Sequence, residues 1–160
     1  MFDDDNNPVD VNWDLANDRA SRWSLEYAFD LVRQLKETTR QRLRREISRF
    51  IENGETVNQL AKRLAPLFGE ERARLIAETE TTRAFAEGNM EGWKETGVIK
   101  MREWRTARDE LVCPICGPLS GKVVGMDEEF APGIMSPPAH PRCRCWIVGK
   151  VQRVEIDDGD

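Results

Sequence analysis

Nowhere in the 160 residues is there an apolar run approaching the roughly 20 positions that a helix needs to cross a bilayer, so a membrane span is excluded. Histidine and tyrosine occur once each. No H-E-x-x-H pair, no deaminase combination of H-x-E with P-C-x-x-C, and no glycine-rich phosphate loop is present. Excess positive charge is also lacking: the net charge of -5 gives no global attraction to nucleic acid. The segment Met1 to Asp10 is acidic and has no apolar stretch, which argues against a secretory signal and so against an oxidising compartment.

What little cysteine and histidine there is has been collected in one place. All four cysteines and the single histidine lie between Trp104 and Trp146. They run as Cys113-Pro-Ile-Cys116, a turn-rich loop, and then His140-Pro-Arg-Cys143-Arg-Cys145. A soft divalent ion wants four sulfur or imidazole groups at tetrahedral corners, and a C-x2-C turn presents two of them from one tight knuckle. Cys143 and Cys145, if extended, point to one side at the strand period of two, and His140 is able to replace either. Thiolate and imidazole favour zinc or iron over calcium or magnesium, and zinc is the plainer choice because no second C-x2-C suggests an iron site. Four cysteines equally allow three disulfide pairings, and a single C-x2-C also occurs as a redox pair. His140 as ligand and His140 as a loop-holding group that leaves four cysteines to the metal both remain open.

Around this region the chain is helical first and extended later. Charged residues make up 33% and apolar ones 39%, a balance that suits much solvent-facing helix. Trp13, Ala16, Ala20, Trp23, Leu25, Phe29, Val32 and Leu35 recur at helical spacing, and the stripe resumes at Leu43, Ile47, Phe50 and Ile51 before Asn53-Gly54 stops it. Thr38-Thr39 is the weak point of that run. Thr56-Val-Asn-Gln59 has the form of a capping box, and Pro66 is expected to limit the short helix that follows. A third helix is predicted over about Glu70 to Thr96, closed by Gly97, with Thr79 and Arg83 unusual on its apolar stripe and implying a polar partner there.

After Gly97 the period turns to alternation from Met101 to Thr106. Lys122 to Val124 is a strand candidate, and residues 145–148 and 151–154 are expected to close as a hairpin around Gly149-Lys150. The fold class is therefore α+β. A flexible acidic N-terminus (1–12) precedes a helical arm (13–97), a small metal-stapled β unit (98–155) and an acidic tail (156–160). So small a β unit has little to bury and benefits from a staple. Trp104 and Trp146 are expected to cover the metal site, with Asp109 capping the knuckle or pairing with Arg144.

Together, Ile76-Ala-Glu-Thr-Glu80, Gly88, Trp104-Arg-Thr-Ala-Arg-Asp109, Val112-Cys113-Pro-Ile-Cys116, Gly121, Phe130 and Pro137-Pro-Ala-His-Pro-Arg-Cys-Arg-Cys145 resemble the phage Mu F-like head morphogenesis family over about Trp13 to Val148. One departure is Glu78, where members usually carry arginine. The resemblance implies a minor head protein in the interior of the virion head, assembled in the host cytoplasm. Its implied partners are the portal protein and other procapsid proteins, with contact to packaged DNA as a further expectation and no established catalysis. Arg40, Arg42, Arg44, Arg45 and Arg49 crowd one helix as the candidate DNA or portal contact, although a solvated face explains them as simply. The alternative is a metal-dependent nuclease or hydrolase with an open metal position and Asp109 or Glu80 as base. No catalytic residue is assigned.

Overall fold

A computed structural model of the protein describes residues 36–107 and 113–151. The expected helix over Trp13 to Leu35, the acidic ends and Asp109 lie outside the described residues. Among the described residues three helices come first: α1 (Glu37–Glu52), α2 (Val57–Phe68) and α3 (Glu70–Thr96). A three-stranded antiparallel sheet follows, made of β1 (Ile99–Arg105), β2 (Val123–Gly125) and β3 (Trp146–Val151) in the order β2-β1-β3. The α+β class and its division into helices first and sheet last are as the hydrophobic periods indicate.

The helix punctuation works through identifiable groups. Thr56 accepts the Gln59 amide while the Gln59 side chain accepts the Thr56 amide at 2.7 Å, so the capping box is complete. Pro66 does not end α2, contrary to expectation. Its missing N–H falls in the last turn, and the helix continues to Phe68. Gly69 then joins α2 to α3 with a φ of +79°, a conformation that costs glycine nothing. Gly97 closes α3 in the left-handed conformation, donating its N–H to Trp93 O at 3.0 Å.

With 27 residues, α3 is about 40 Å long and serves two cores. Its first half supplies Ala73, Ile76 and Ala77 to a cluster with Leu43, Ile47, Phe50, Leu60 and Leu64. Its second half gives Ala86 and Met90 to a second cluster with Trp104, Phe130, Ile147 and three of the cysteines. Between them sits a buried polar waist, Thr79, Glu80 and Thr81.

In the sheet, β1 is central, and its inward residues Arg102 and Trp104 are fully buried. Among the described residues, Arg102 makes no ion pair with a carboxylate. Its guanidinium donates to the carbonyls of Met135 at 2.7 Å, Glu128 at 2.5 Å and Gly125 at 3.1 Å, and lies 5.1 Å from the Phe130 ring centroid. One planar fork thereby fixes the loop from Gly125 to Met135. On the outer side Glu103 pairs with Arg105 at 2.7 Å and Lys150 at 2.8 Å.

The hairpin expected around Gly149-Lys150 is absent, since β3 runs through both residues and pairs with β1 from Arg105↔Trp146 to Ile99↔Val151. Glycine is needed at 149 for closeness rather than for a turn. A Cβ there would lie 2.7 Å from Ile99 Cγ2 and 3.0 Å from Trp93 Cε2.

Replacing Arg102 by lysine keeps the charge but supplies a point donor to a three-carbonyl cradle. We expect a loss on the order of 2 kcal/mol in stability of the β unit. Amide hydrogen exchange checks this: protection should fall across residues 113–151 and persist in α1 and α2, whereas unchanged protection would show that the fork is dispensable.

Candidate metal centre

Each cysteine is placed by a local turn that the sequence encodes. Cys113-Pro-Ile-Cys116 folds as a knuckle in which the Cys116 amide donates to Cys113 Sγ at 3.3 Å and Gly117 N–H reaches Cys113 O at 2.9 Å. The Gly117–Leu119 3₁₀ turn carries the chain from there toward β2. On the other side of the site, Cys143 N–H bonds His140 O at 3.2 Å and Arg142 adopts φ of +60°. Helix α3 holds this second turn, because Thr79 Oγ1 accepts the Arg142 amide at 3.1 Å. The Arg142 guanidinium pairs with Glu78 at 3.6 Å and Glu71 at 3.4 Å, which gives the family departure at Glu78 a local use. Thr79 is thus the polar residue on the α3 stripe whose partner the sequence left unnamed.

All five candidate ligands are brought together. His140 Nε2 is 3.1 Å from Cys113 Sγ and 3.2 Å from Cys116 Sγ, while Cys116 and Cys143 Sγ are 3.7 Å apart. The donor atoms form two groups, Cys113 with Cys116 and His140, and Cys116 with Cys143 and Cys145, that share Cys116. All four cysteines are free thiols, so none of the three disulfide pairings is formed. His140 Nδ1 lies 2.8 Å from Pro141 O, which assigns the ring proton to that nitrogen and turns the Nε2 lone pair toward the sulfurs.

The supporting residues divide. Trp104 is fully buried, stacks edge-on against Phe130 at 5.2 Å, and its indole N–H has no hydrogen-bond acceptor in ordinary geometry among the described residues. It packs in the same buried cluster as Cys145. Trp146 does not cover the cluster: it is 48% exposed, on the strand face opposite the buried Cys145 and Ile147. Arg144 is exposed and lines, with Arg142, Thr106 and Ala107, a small cleft beside Cys113, Cys116, His140 and Cys145. Glu80, weighed above as a base, is buried in α3 and paired with Arg83 at 3.5 Å, and it does not line that cleft. The five arginines of the candidate contact lie on α1. Arg42, Arg45 and Arg49 face solvent, and Arg40 and Arg44 pair with Glu37 at 4.0 and 3.7 Å. Sequence reasoning missed Arg102, which carries no motif and gains its meaning only from three carbonyls brought together by the fold.

Packing thiols this closely splits their acidities. The Cys145 S–H hydrogen bond, assisted by the backbone amides of Ala139 and Cys145, holds Cys143 down to about 5 against the effect of burial. Burial first, then the neighbouring Cys143 charge, pushes Cys116 up to about 12. Cys145 is raised by the Cys143 thiolate and by burial. For His140, burial lowers the value, but the Pro141 carbonyl and the Cys143 and Cys113 sulfurs raise it more.

A family model described as "Phage Mu protein F like protein" matches residues 41–148. Among curated proteins, "Uncharacterized protein YqbB" of Bacillus subtilis (strain 168) is 27% identical over 125 residues, covering 76% of this chain and 41% of the relative. The chain therefore spans about two fifths of that protein's length. No solved structure matches.

A metal binds thiolate, so at neutral pH it takes Cys143 as it stands and must displace the proton of Cys116. Zinc affinity of the metal-free protein should fall at least tenfold per unit as pH drops from 7 toward 5, and more steeply below about 5 where Cys143 is protonated. Isothermal titration in buffers of different ionisation heat checks this: proton release of one or more per zinc is expected, and none would contradict the assignment.

Proposed function

Because the chain belongs to the phage Mu protein F like family, we propose that it acts in phage head morphogenesis as a minor head protein of the procapsid. The single observation carrying this reading is the family match across residues 41–148, which takes in most of α1, all of α2 and α3, β1, β2, the start of β3 and both cysteine turns. The architecture supports an assembly role. Two cores strung along one helix leave broad outer faces, and the cleft beside the cysteines is small, an arrangement suited to docking rather than to enclosing a substrate.

In this reading the cysteine and histidine cluster holds one structural zinc. Tetrahedral zinc with sulfur at about 2.3 Å sets its thiolates about 3.8 Å apart. The 3.7 Å between Cys116 and Cys143 Sγ fits that spacing, and the inward-turned Nε2 of His140 fits a thiolate-rich centre. When bound, the ion supplies the cross-link between the two turns.

The docking face is the solvent side of α1, where Arg42, Arg45 and Arg49 lie away from the buried Leu43, Ile47 and Phe50. An acidic surface of the portal protein or another procapsid protein is its partner, and packaged DNA is the competing one, in the head interior after assembly in the host cytoplasm. No helix among the described residues is long and apolar enough to cross a membrane.

The test is to purify procapsids from cells producing the phage and measure this chain by quantitative mass spectrometry against the portal protein. A small, reproducible number of copies is expected, and Arg42→Glu with Arg45→Glu and Arg49→Glu should lower it at least tenfold. Absence from procapsids would contradict the reading. Retention of the triple variant in procapsids, with loss of salt-dependent DNA binding, would move the arginine face to DNA.

A further inference from the structure

We infer that the outer edge of β3 docks a second copy of this chain, the two β3 strands pairing antiparallel about Val148 and joining two sheets into one of six strands. The pairing is independent of whether the cysteine cluster holds an ion.

The two edges of the sheet differ. At one, β2 is only three residues long, and so short an edge offers little to pair with. At the other, β3 runs the six residues Trp146–Val151, and among the described residues its hydrogen-bonded neighbour is β1 alone. An edge of this length is ordinarily blunted by proline, by a bulge or by an outward lysine. β3 contains no proline, and the irregularity in its ladder falls on β1, between Ile99 and Met101. Its lysine, Lys150, is drawn back across the sheet onto Glu103 at 2.8 Å. Trp146 and Val151 stand exposed at its two ends. An unprotected edge of this kind is a template for strand addition.

The residues of β3 indicate which strand fits. Ile147 and Gly149 lie opposite Trp104 and Arg102 on the face toward α3, while Trp146 and Val148 lie opposite Arg105 and Glu103 on the outer face, with Lys150 beyond them. In an antiparallel pair of identical strands centred on Val148, Trp146 meets Lys150 of the second copy and Val148 meets its own equivalent. Ile147 then meets Gly149 on the inner face, so the inner faces stay on one side and the outer faces run on continuously. The indole and the lysine form a cation–π pair, and the twofold axis makes it twice. Neighbouring registers lose this match. Centred on Ile147, the pair would set Lys150 against Arg144, two like charges; centred on Gly149, it would leave Trp146 beyond the end of the opposing strand. A single six-residue edge is smaller than the about 800 Å² per partner that stable complexes bury, so the dimer is weak and fills at high local concentration.

Sedimentation velocity on the full chain, kept reduced and taken from micromolar to millimolar concentration, tests this. A monomer–dimer equilibrium is expected, with amide hydrogen exchange across Trp146–Val151 slowing as the dimer fills. Trp146 is exposed in the single chain, so a change there spares the fold. Trp146→Lys places like charges opposite each other on both sides of the axis and should weaken the dimer at least tenfold relative to the parent chain. Trp146→Glu faces Lys150 of the second copy and should dimerise at least tenfold more tightly than Trp146→Lys. A chain that stays monomeric throughout the range would overturn the inference. So would a dimer in which the two variants behave alike, or one that leaves exchange in β3 unchanged.

Discussion

Thiolates repel one another and burial disfavours each of them, yet three of the four sulfurs here are buried and the fourth is half-buried beside an imidazole. Fully ionised, such a collection is costly without a cation at its centre, and the sheet around it offers little apolar burial to offset that cost. Its three strands meet a single short cluster of apolar side chains, and several of those are the cysteines themselves. In the zinc reading proposed above, the rest of the small unit depends on the cross-link that the ion supplies. The two turns it joins lie at opposite ends of the loop that Arg102 gathers with its three carbonyl contacts.

Helix α3 carries this constraint to the rest of the molecule. Its N-terminal half is part of an ordinary helical core, and its C-terminal half is a wall of the cysteine-containing one. At the waist, Thr79 bonds the backbone of the second turn, Glu78 and Glu71 hold the Arg142 side chain, and further on Glu87 takes Ser136 at 2.6 Å. The exposed ion pairs contribute little individually. The buried Thr79 contact matters more, because losing it leaves a main-chain N–H without a partner. A rigid helix bonded to both cores transmits position between the arginine-bearing α1 and the cysteine turns.

Much of this was legible in the residues. The capping box at Thr56, the left-handed stop at Gly97 and the bounds of α3 follow from local chemistry that acts within one turn of helix, so the sequence is sufficient to read them. The meeting of Cys113 with His140 was legible because metal chemistry restricts which residue types gather and at what spacing. What was not legible depends on neighbours distant in sequence. Gly149 looked like a turn residue, and its small size is used instead to admit Ile99 and Trp93. Trp146 looked like a lid until the strand register turned it outward, and nothing adjacent to Arg102 in the chain announces three waiting carbonyls.

The central claim is that a metal ion ties the two cysteine turns together and holds the β unit on α3. Elemental mass spectrometry of the full chain, purified reduced and without added metal, tests it most directly when paired with hydrogen exchange before and after chelation. About one zinc per chain is predicted, with chelation removing protection from residues 113–151 while α1 and α2 keep theirs. A metal-free protein whose cysteine turns are as protected as its helices would contradict the claim.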